Sequence, residues 1–334
     1  MCQLMPLLMR ETIDVPVGEA IASADSRDAG MRLDAFVAKS VRGLSRSQAK
    51  RLIEDGCVLL NGASAKAARA VAAGDRVTVD VPPPSSPSAK PEDIPLDIIY
   101  EDGDIIVVAK PAGMVVHPAA GHPGGTLVNA LLAHCGDLSG IGGELKPGIV
   151  HRLDMGTSGA IIAAKNDEAH RSLAAQFKAR TVTKIYLALV FGAMRADSGS
   201  FDQPIGRSTG DRKKMSVHTR KGRASLTEWR VAERFGSHLS WIEIELRTGR
   251  MHQIRVHFTE AGHPLVGDPL YGGVRKAGRV PAGPLHDAVA DFPRPALHAW
   301  RLGIDHPKSG KRMEFVAPLP EDIEDLLAAL RAAH

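Results

Sequence analysis

Cysteine is scarce in this chain: Cys2, Cys57 and Cys135 are the three among 334 residues. They are odd in number, far apart and never in a CxxC pair. That excludes a disulfide framework and a thiolate zinc site, and it suits a reducing, cytoplasmic compartment. Long apolar runs are missing as well. None approaches the roughly 18 residues that cross a bilayer, so no membrane partner is expected. The opening MCQLMPLLMR is apolar but short, without a basic start or a cleavage site. It reads as a frayed or over-extended N-terminus rather than a signal peptide. Nucleotide-cofactor signatures are absent, since no GxxxxGK motif occurs and no GxGxxG follows a strand. GxSxG is missing, and no Ser-His-Asp order suggests itself. Of the 14 histidines none stands in HExxH, and His252 and His257, five positions apart, do not share a helix face as i, i+4 ligands would. The expectation is a chain that works without metal or cofactor. No internal repeat is present.

What is there describes an ordinary globular protein, with 44% hydrophobic and 24% charged residues. The length accommodates a large catalytic domain plus a small module. A net charge of +4 permits a nucleic-acid partner without requiring one, so the distribution of charge decides. Residues 1–30 show no clear period and read as a flexible lead-in. From Met31, Leu33, Phe36 and Val37 make one helical face. Ser45 with Gln48 forms a capping box for a second helix, whose apolar side is Ala49, Leu52 and Ile53 and whose stop is Gly56. Asn61-Gly62 reads as a tight hairpin turn, and DRVTVDV alternates like a half-buried strand. PPPSSPSAKPED, about residues 83–93, reads as an extended linker. Residues 94–334 then alternate strands, often hairpin-linked as at Asp102-Gly103, with helices after Asn166, around Ile254–Phe258 and over PEDIEDLLAALRAAH. This predicts an α+β fold, a largely antiparallel mixed sheet with helices packed on it.

Residues 31–82 carry Arg32, Arg46, Lys50 and Arg51 on or beside the two helices, which taken alone is a solvated basic face. The order RLD, SR, GxVxxNG and GDxV in this segment resembles the S4 RNA-binding module. That resemblance implies a face that tracks an RNA backbone. A second basic stretch, RSTGDRKKMSVHTRKGR, contains Arg212, Lys213 and Lys214 and reads as a hairpin or loop touching RNA.

One carboxylate stands out. In GIVHRLDMGTSGAIIAAKN, Asp154 lies between a His-Arg-Leu run and the turn Gly156-Thr157-Ser158-Gly159. By itself such an acid caps or bonds turn amides. Tyr186 alone is strand core, Arg250 a surface charge, His151 a core filler. In order along the chain, however, stand HRLDMGTSG at Asp154, KIYLALV at Tyr186, RTGRMHQIRVH at Arg250, and HPLVGDPLYG. This set resembles the RluA family of pseudouridine synthases. It is closest to the branch with an N-terminal S4 module that acts on large-subunit ribosomal RNA.

The resemblance implies isomerisation of uridine in RNA to pseudouridine. The glycosidic bond breaks, the uracil turns, and a carbon–carbon bond forms through C5. It implies that Asp154 meets the flipped nucleotide as nucleophile or base and that Arg152 fills the space the base leaves. Arg250 would pair with Asp154 and hold it charged, and Tyr186 would stack on the uracil. Gly156 and Gly159 would bring the backbone close to the ribose. Met155-Gly156 departs from the lysine-acidic pair frequent in relatives, which removes charge beside the site. The partner implied is ribosomal RNA, bound by a monomer. A non-catalytic RNA-binding factor of ribosome assembly is the alternative. A glycosidase would need a second carboxylate, and none is evident beside Asp154.

Overall fold

The chain divides into two units, Met1–Ser85 and Ser86–His334. The structure is a computed structural model and describes residues 18–41, 44, 46–81, 89–119, 121–135, 138, 148–211, 213–219 and 221–333.

The first unit comprises strand β1 (Gly18–Ser23), helices α1 (Leu33–Ser40) and α2 (Arg46–Glu54), and strands β2 (Val58–Leu60), β3 (Ala63–Ser64) and β4 (Arg76–Val81). Its antiparallel sheet runs β1-β4-β2-β3. Leu33, Phe36 and Val37 of α1 meet Ala49 and Ile53 of α2 over Val58, Val77 and Val79. Asn61 (φ 52°) and Gly62 (φ 79°) form the two-residue turn between β2 and β3. Gly56 is left-handed, and the Cys57 amide donates to Leu52, closing α2 as a glycine stop should. The Ser45 cap lies outside the described residues.

One expectation is corrected. Residues 18–23 are not a loose lead-in; they pair along the whole of β4, Gly18 opposite Val81 through Ser23 opposite Arg76. Ala20 and Ala24 are buried beneath them. GEAIAS has a single β-branched residue, so its sequence carries little strand signal.

The second unit opens with the hairpin β5 (Ile98–Glu101) and β6 (Ile105–Lys110), then α3 (Leu127–His134), β7 (Ser158–Ala164), α4 (Asp167–Ala179) and β8 (Thr183–Phe191). There follow β9 (Ser198–Phe201), the short hairpin β10 (Gly206–Arg207) and β11 (Met215–Ser216), and the long hairpin β12 (Thr227–Phe235) and β13 (Leu239–Leu246). Helices α5 (Gln253–Glu260), α6 (Gly273–Ala277) and α7 (Pro284–Ala290), strands β14 (Leu297–Asp305) and β15 (Arg312–Val316), and helix α8 (Glu321–Ala332) complete it. The nine-stranded sheet runs β5-β6-β7-β14-β8-β13-β12-β9, with β15 on β14. Among the described strands only the β7–β14 pair is parallel, which makes the α+β sheet mixed but mostly antiparallel. Asn166 caps α4 by accepting the Ala169 amide. Ile323, Leu326, Leu327 and Leu330 bury one side of α8.

The linker also needs adjustment. Its residues 89–93 belong to the second unit's packing: Ala89 is buried, and the Glu92 amide donates to Asn129 of α3.

Candidate active site

Asp154 sits in the loop that feeds β7, near the middle of the sheet. Its backbone carbonyl accepts the Thr157 amide, so the turn after it is tight. Tyr186, on β8, stands between Ala299 of β14 and Ile244 of β13. An open pocket of about 440 Å³ contains Asp154, Tyr186, Arg152 and Arg250 together. Among the described lining residues Asp154 is the sole carboxylate, against Arg152, Lys178, Arg180, Lys184, Arg247, Arg250 and Arg255. A cleft lined with one sign of charge gathers a polyanion. Burial, with Asp154 adding, pushes the Tyr186 phenol up, so its hydroxyl stays neutral.

The partner of Asp154 is not the expected one. Arg255, on α5, places Nη1 3.2 Å from Asp154 Oδ2. Its Nε and Nη2 donate to Asp268 at 2.7 and 2.9 Å. Asp268 is fully buried and also accepts the amides of Leu270 and Tyr271. Arg255 is thus held flat by one acid and presented to another, and its ring neighbour Tyr271 lies 5.0 Å beneath the guanidinium. Arg250 instead donates Nε to the carbonyl of Ala224. Burial, with Arg180 and Arg223 adding, lowers its pKa. The physical reason lies in the start of α5: Gln253 accepts the Arg250 amide and turns that residue away, one helical turn before Arg255. Asp268 is also a second carboxylate near Asp154. It is sealed from solvent and committed to four donors, so it is no general acid.

The loop around Asp154 is pinned from behind. Lys110, 1% exposed, donates to the carbonyls of Pro111, Met114 and Met155. Burial, with Arg294 adding, lowers its pKa to about 7, while Asp154 opposes. Arg294 donates to the Gly156 carbonyl and to both oxygens of Asp322 on α8. Both glycines stand where a side chain has no room. A Cβ at Gly159 would stand 2.2 Å from the Ala299 carbonyl oxygen, and one at Gly156 3.0 Å from Pro295. The Ser158 hydroxyl bonds His298 instead of a turn amide. His151 accepts the Ile162 amide and stacks on Phe177, a packing role.

The sequence matches the RNA pseudouridylate synthase family over residues 104–260 and the S4 domain over residues 31–77. It is 48% identical over 309 residues to a Bacillus subtilis protein called an uncharacterized RNA pseudouridine synthase, spanning 92% of this chain and 97% of that one. The chain belongs to the RNA pseudouridine synthases. A Zymomonas mobilis ribosomal large subunit pseudouridine synthase D is 46% identical over 312 residues, 91% of this chain and 95% of that protein. Human RNA Pseudouridylate Synthase Domain Containing 1 superposes with a TM-score of 0.50 at 29% identity, over 72% of this chain and 96% of its own. The synthase therefore isomerises uridine in RNA, and the pocket around Asp154 is where its family motifs converge.

Four of the basic residues expected to touch RNA, those of the first unit, are already paired in the synthase. Arg32 and Arg46 both bond Asp34, whose side chain is 3% exposed, so they also neutralise a buried acid. Lys50 and Arg51 pair with Glu54 and Asp55 one turn on, at 3.4 and 3.6 Å. Exposed pairs of that kind are worth a few tenths of a kcal/mol, so phosphate can displace the acid. Lys213 is exposed and Lys214 lies 3.9 Å from Asp211, beside the β10–β11 hairpin. Arg212 lies outside the described residues.

Two groups could offer a metal three ligands among the described residues: Glu101, His134 and Cys135, and Asp102, Asp104 and His306. Neither lines the pocket, and Glu101 and Asp102 already bond Lys165, His134, Tyr100 and His306. Sequence reasoning missed Arg255, Asp268, His252, Tyr271, Lys110 and Arg294. The first four lie inside the motifs RTGRMHQIRVH and HPLVGDPLYG, and Lys110 ends the apolar run IIVVAK, where a charge signals a partner.

Proposed function

We propose that the synthase modifies uridines of large-subunit ribosomal RNA, with Asp154 as its reacting carboxylate. The observation that carries this reading is the isolation of Asp154: the one acid among the described lining residues, 20% exposed, facing seven Arg and Lys side chains and held by Arg255. A carboxylate so placed is open to a flipped nucleotide and held in position by its guanidinium partner, as a nucleophile or base must be. The name of the Zymomonas mobilis relative supports ribosomal RNA as the substrate. Arg152, exposed at the pocket, is suited to enter the stack, because a planar guanidinium stacks on bases and bonds phosphate. Tyr186 offers a neutral ring to the uracil. The S4 unit and the β10–β11 hairpin then supply phosphate contacts. This assembled site favours catalysis over a purely RNA-binding factor.

The direct test is tritium release from ribosomal RNA labelled at C5 of uridine, with EDTA present, for wild type and Asp154→Asn. Forming pseudouridine expels the C5 hydrogen. Release by wild type alone is expected. Equal release by both proteins would remove Asp154 from the chemistry, and none from either on bound large-subunit RNA would move the substrate elsewhere.

A further inference from the structure

His252 enters the pocket from the residue that starts α5, with a left-handed backbone at φ 57°. Non-glycine residues adopt that conformation seldom, and where they do the surroundings hold them there. Its two ring nitrogens face different partners. Nδ1 lies 2.8 Å from the Tyr271 hydroxyl oxygen. That same oxygen accepts the Met215 amide at 2.8 Å. With Met215 donating to its oxygen, the arrangement that asks this oxygen to accept only once is the one in which the phenol gives its single proton to Nδ1. A neutral imidazole that accepts at Nδ1 carries its own proton on Nε2. Nε2 is 3.9 Å from Asp154 Oδ2, beyond hydrogen-bond reach, and Arg255 already donates to that oxygen. Among the described residues no acceptor takes the Nε2 proton. Burial, with Arg255 and Arg152 adding, lowers the imidazole's pKa against the pull of Asp154 and Asp268, which favours the neutral ring.

A fixed N–H beside the reacting carboxylate therefore waits for an acceptor that arrives with the substrate. When the bond from uracil N1 to the ribose breaks, its electron pair stays with the base and negative charge spreads to the uracil carbonyl oxygens. A neutral donor stabilises such an oxygen without surrendering its proton. We propose that His252 is a further catalytic residue, donating Nε2–H to a uracil carbonyl oxygen of the flipped uridine, and that the β10–β11 hairpin sets its tautomer through Tyr271. Met215 stands on β11 opposite Arg207, next to the turn that carries Lys213 and Lys214. RNA that grips this hairpin would hold the Met215 amide against Tyr271 and so keep the donor aimed. The inference rests on Asp154 as the reacting carboxylate.

The test has two arms. In the RNA-free, full-length protein labelled with 15N-histidine, the His252 signals are found by difference against His252→Gln. Wild type should show the Nε2–H tautomer, and Tyr271→Phe should shift the signals toward a mixture. In steady-state tritium release, His252→Leu should lose about 100-fold in kcat with KM within about twofold. His252→Gln, which restores an N–H near the Nε2 position, should recover at least a tenth of the wild-type rate. Tyr271→Phe should fall between them. A wild-type Nδ1–H tautomer, or a folded His252→Leu enzyme with wild-type kcat, overturns the proposal. If His252→Leu does not fold, the tautomer and the other two variants still decide. Full activity in Asp154→Asn would defeat the Asp154 reading separately, since the tautomer is measured without turnover.

Discussion

Exchanging Arg255 and Arg250 in turn separates the partner of Asp154 from its neighbour. Arg255→Met removes a guanidinium that bonds Asp154 and, by two donors, the fully buried Asp268. Two unit charges about 4 Å apart are worth about 4 kcal/mol at an effective dielectric of about 20, or roughly a thousandfold in rate if that support is needed in the transition state. Stranding one member of a buried pair also costs about 3–5 kcal/mol of stability. Asp268 keeps the amides of Leu270 and Tyr271, which places the loss toward the lower end. We therefore expect kcat for tritium release to fall about 100- to 1,000-fold and the urea midpoint to drop clearly. Arg250→Met breaks a bond to a backbone carbonyl and removes one cation from the pocket wall. It should leave stability within about 1 kcal/mol and act mainly on KM and its salt dependence. The double variant Arg255→Met, Asp268→Asn removes the stranded charge, so stability should recover by at least about 2 kcal/mol while kcat stays low. Recovery of both would make Arg255 merely structural. An Arg250 variant as inactive as the Arg255 variant would refute the pairing.

Gly159→Ala should cost more than about 3 kcal/mol, because its Cβ meets the Ala299 backbone at 2.2–2.7 Å where β7 pairs with β14. A thermal scan should show a Tm fall of about 10 °C, and a shift under 2 °C would contradict the contact. Burial lowers the His298 pKa to about 4, whereas the unfolded chain titrates near about 6.5. Between those values the unfolded state binds more protons, so this contribution is complete above about pH 6.5 and is lost as pH falls toward 4. Wild type should lose about 3 kcal/mol relative to His298→Gln across that window in urea titrations, and parallel curves would exclude it. Lys213→Gln with Lys214→Gln should lower the log–log salt slope of RNA binding by about 1.4. An unchanged slope would take the hairpin out of the RNA contact.

The hairpin turn at Asn61-Gly62, the cap at Asn166 and the stop at Gly56 were legible because each depends on the side chain and backbone of its own few residues. Asp154, Tyr186 and Arg152 were legible as a set because long motifs keep them in order, and the sheet brings them into one pocket. The choice between Arg250 and Arg255 was not. Both stand in RTGRMHQIRVH, and a helical-wheel reading assumes one wet face, on which an arginine beside Ile254 belongs to solvent. Helix α5 has no such face over Gln253–Phe258, where every residue is buried. An arginine there must find acids, and the nearer one in sequence, Asp268, comes from a loop thirteen positions on. The same holds for Lys110 at the end of a β-strand buried along most of its length and for Arg294 before β14. In each case a charge on a buried segment requires a partner, but only the packing of distant elements says which. That is why the reacting acid could be read from its motif, while the residues that hold it appeared only once the chain was folded around them.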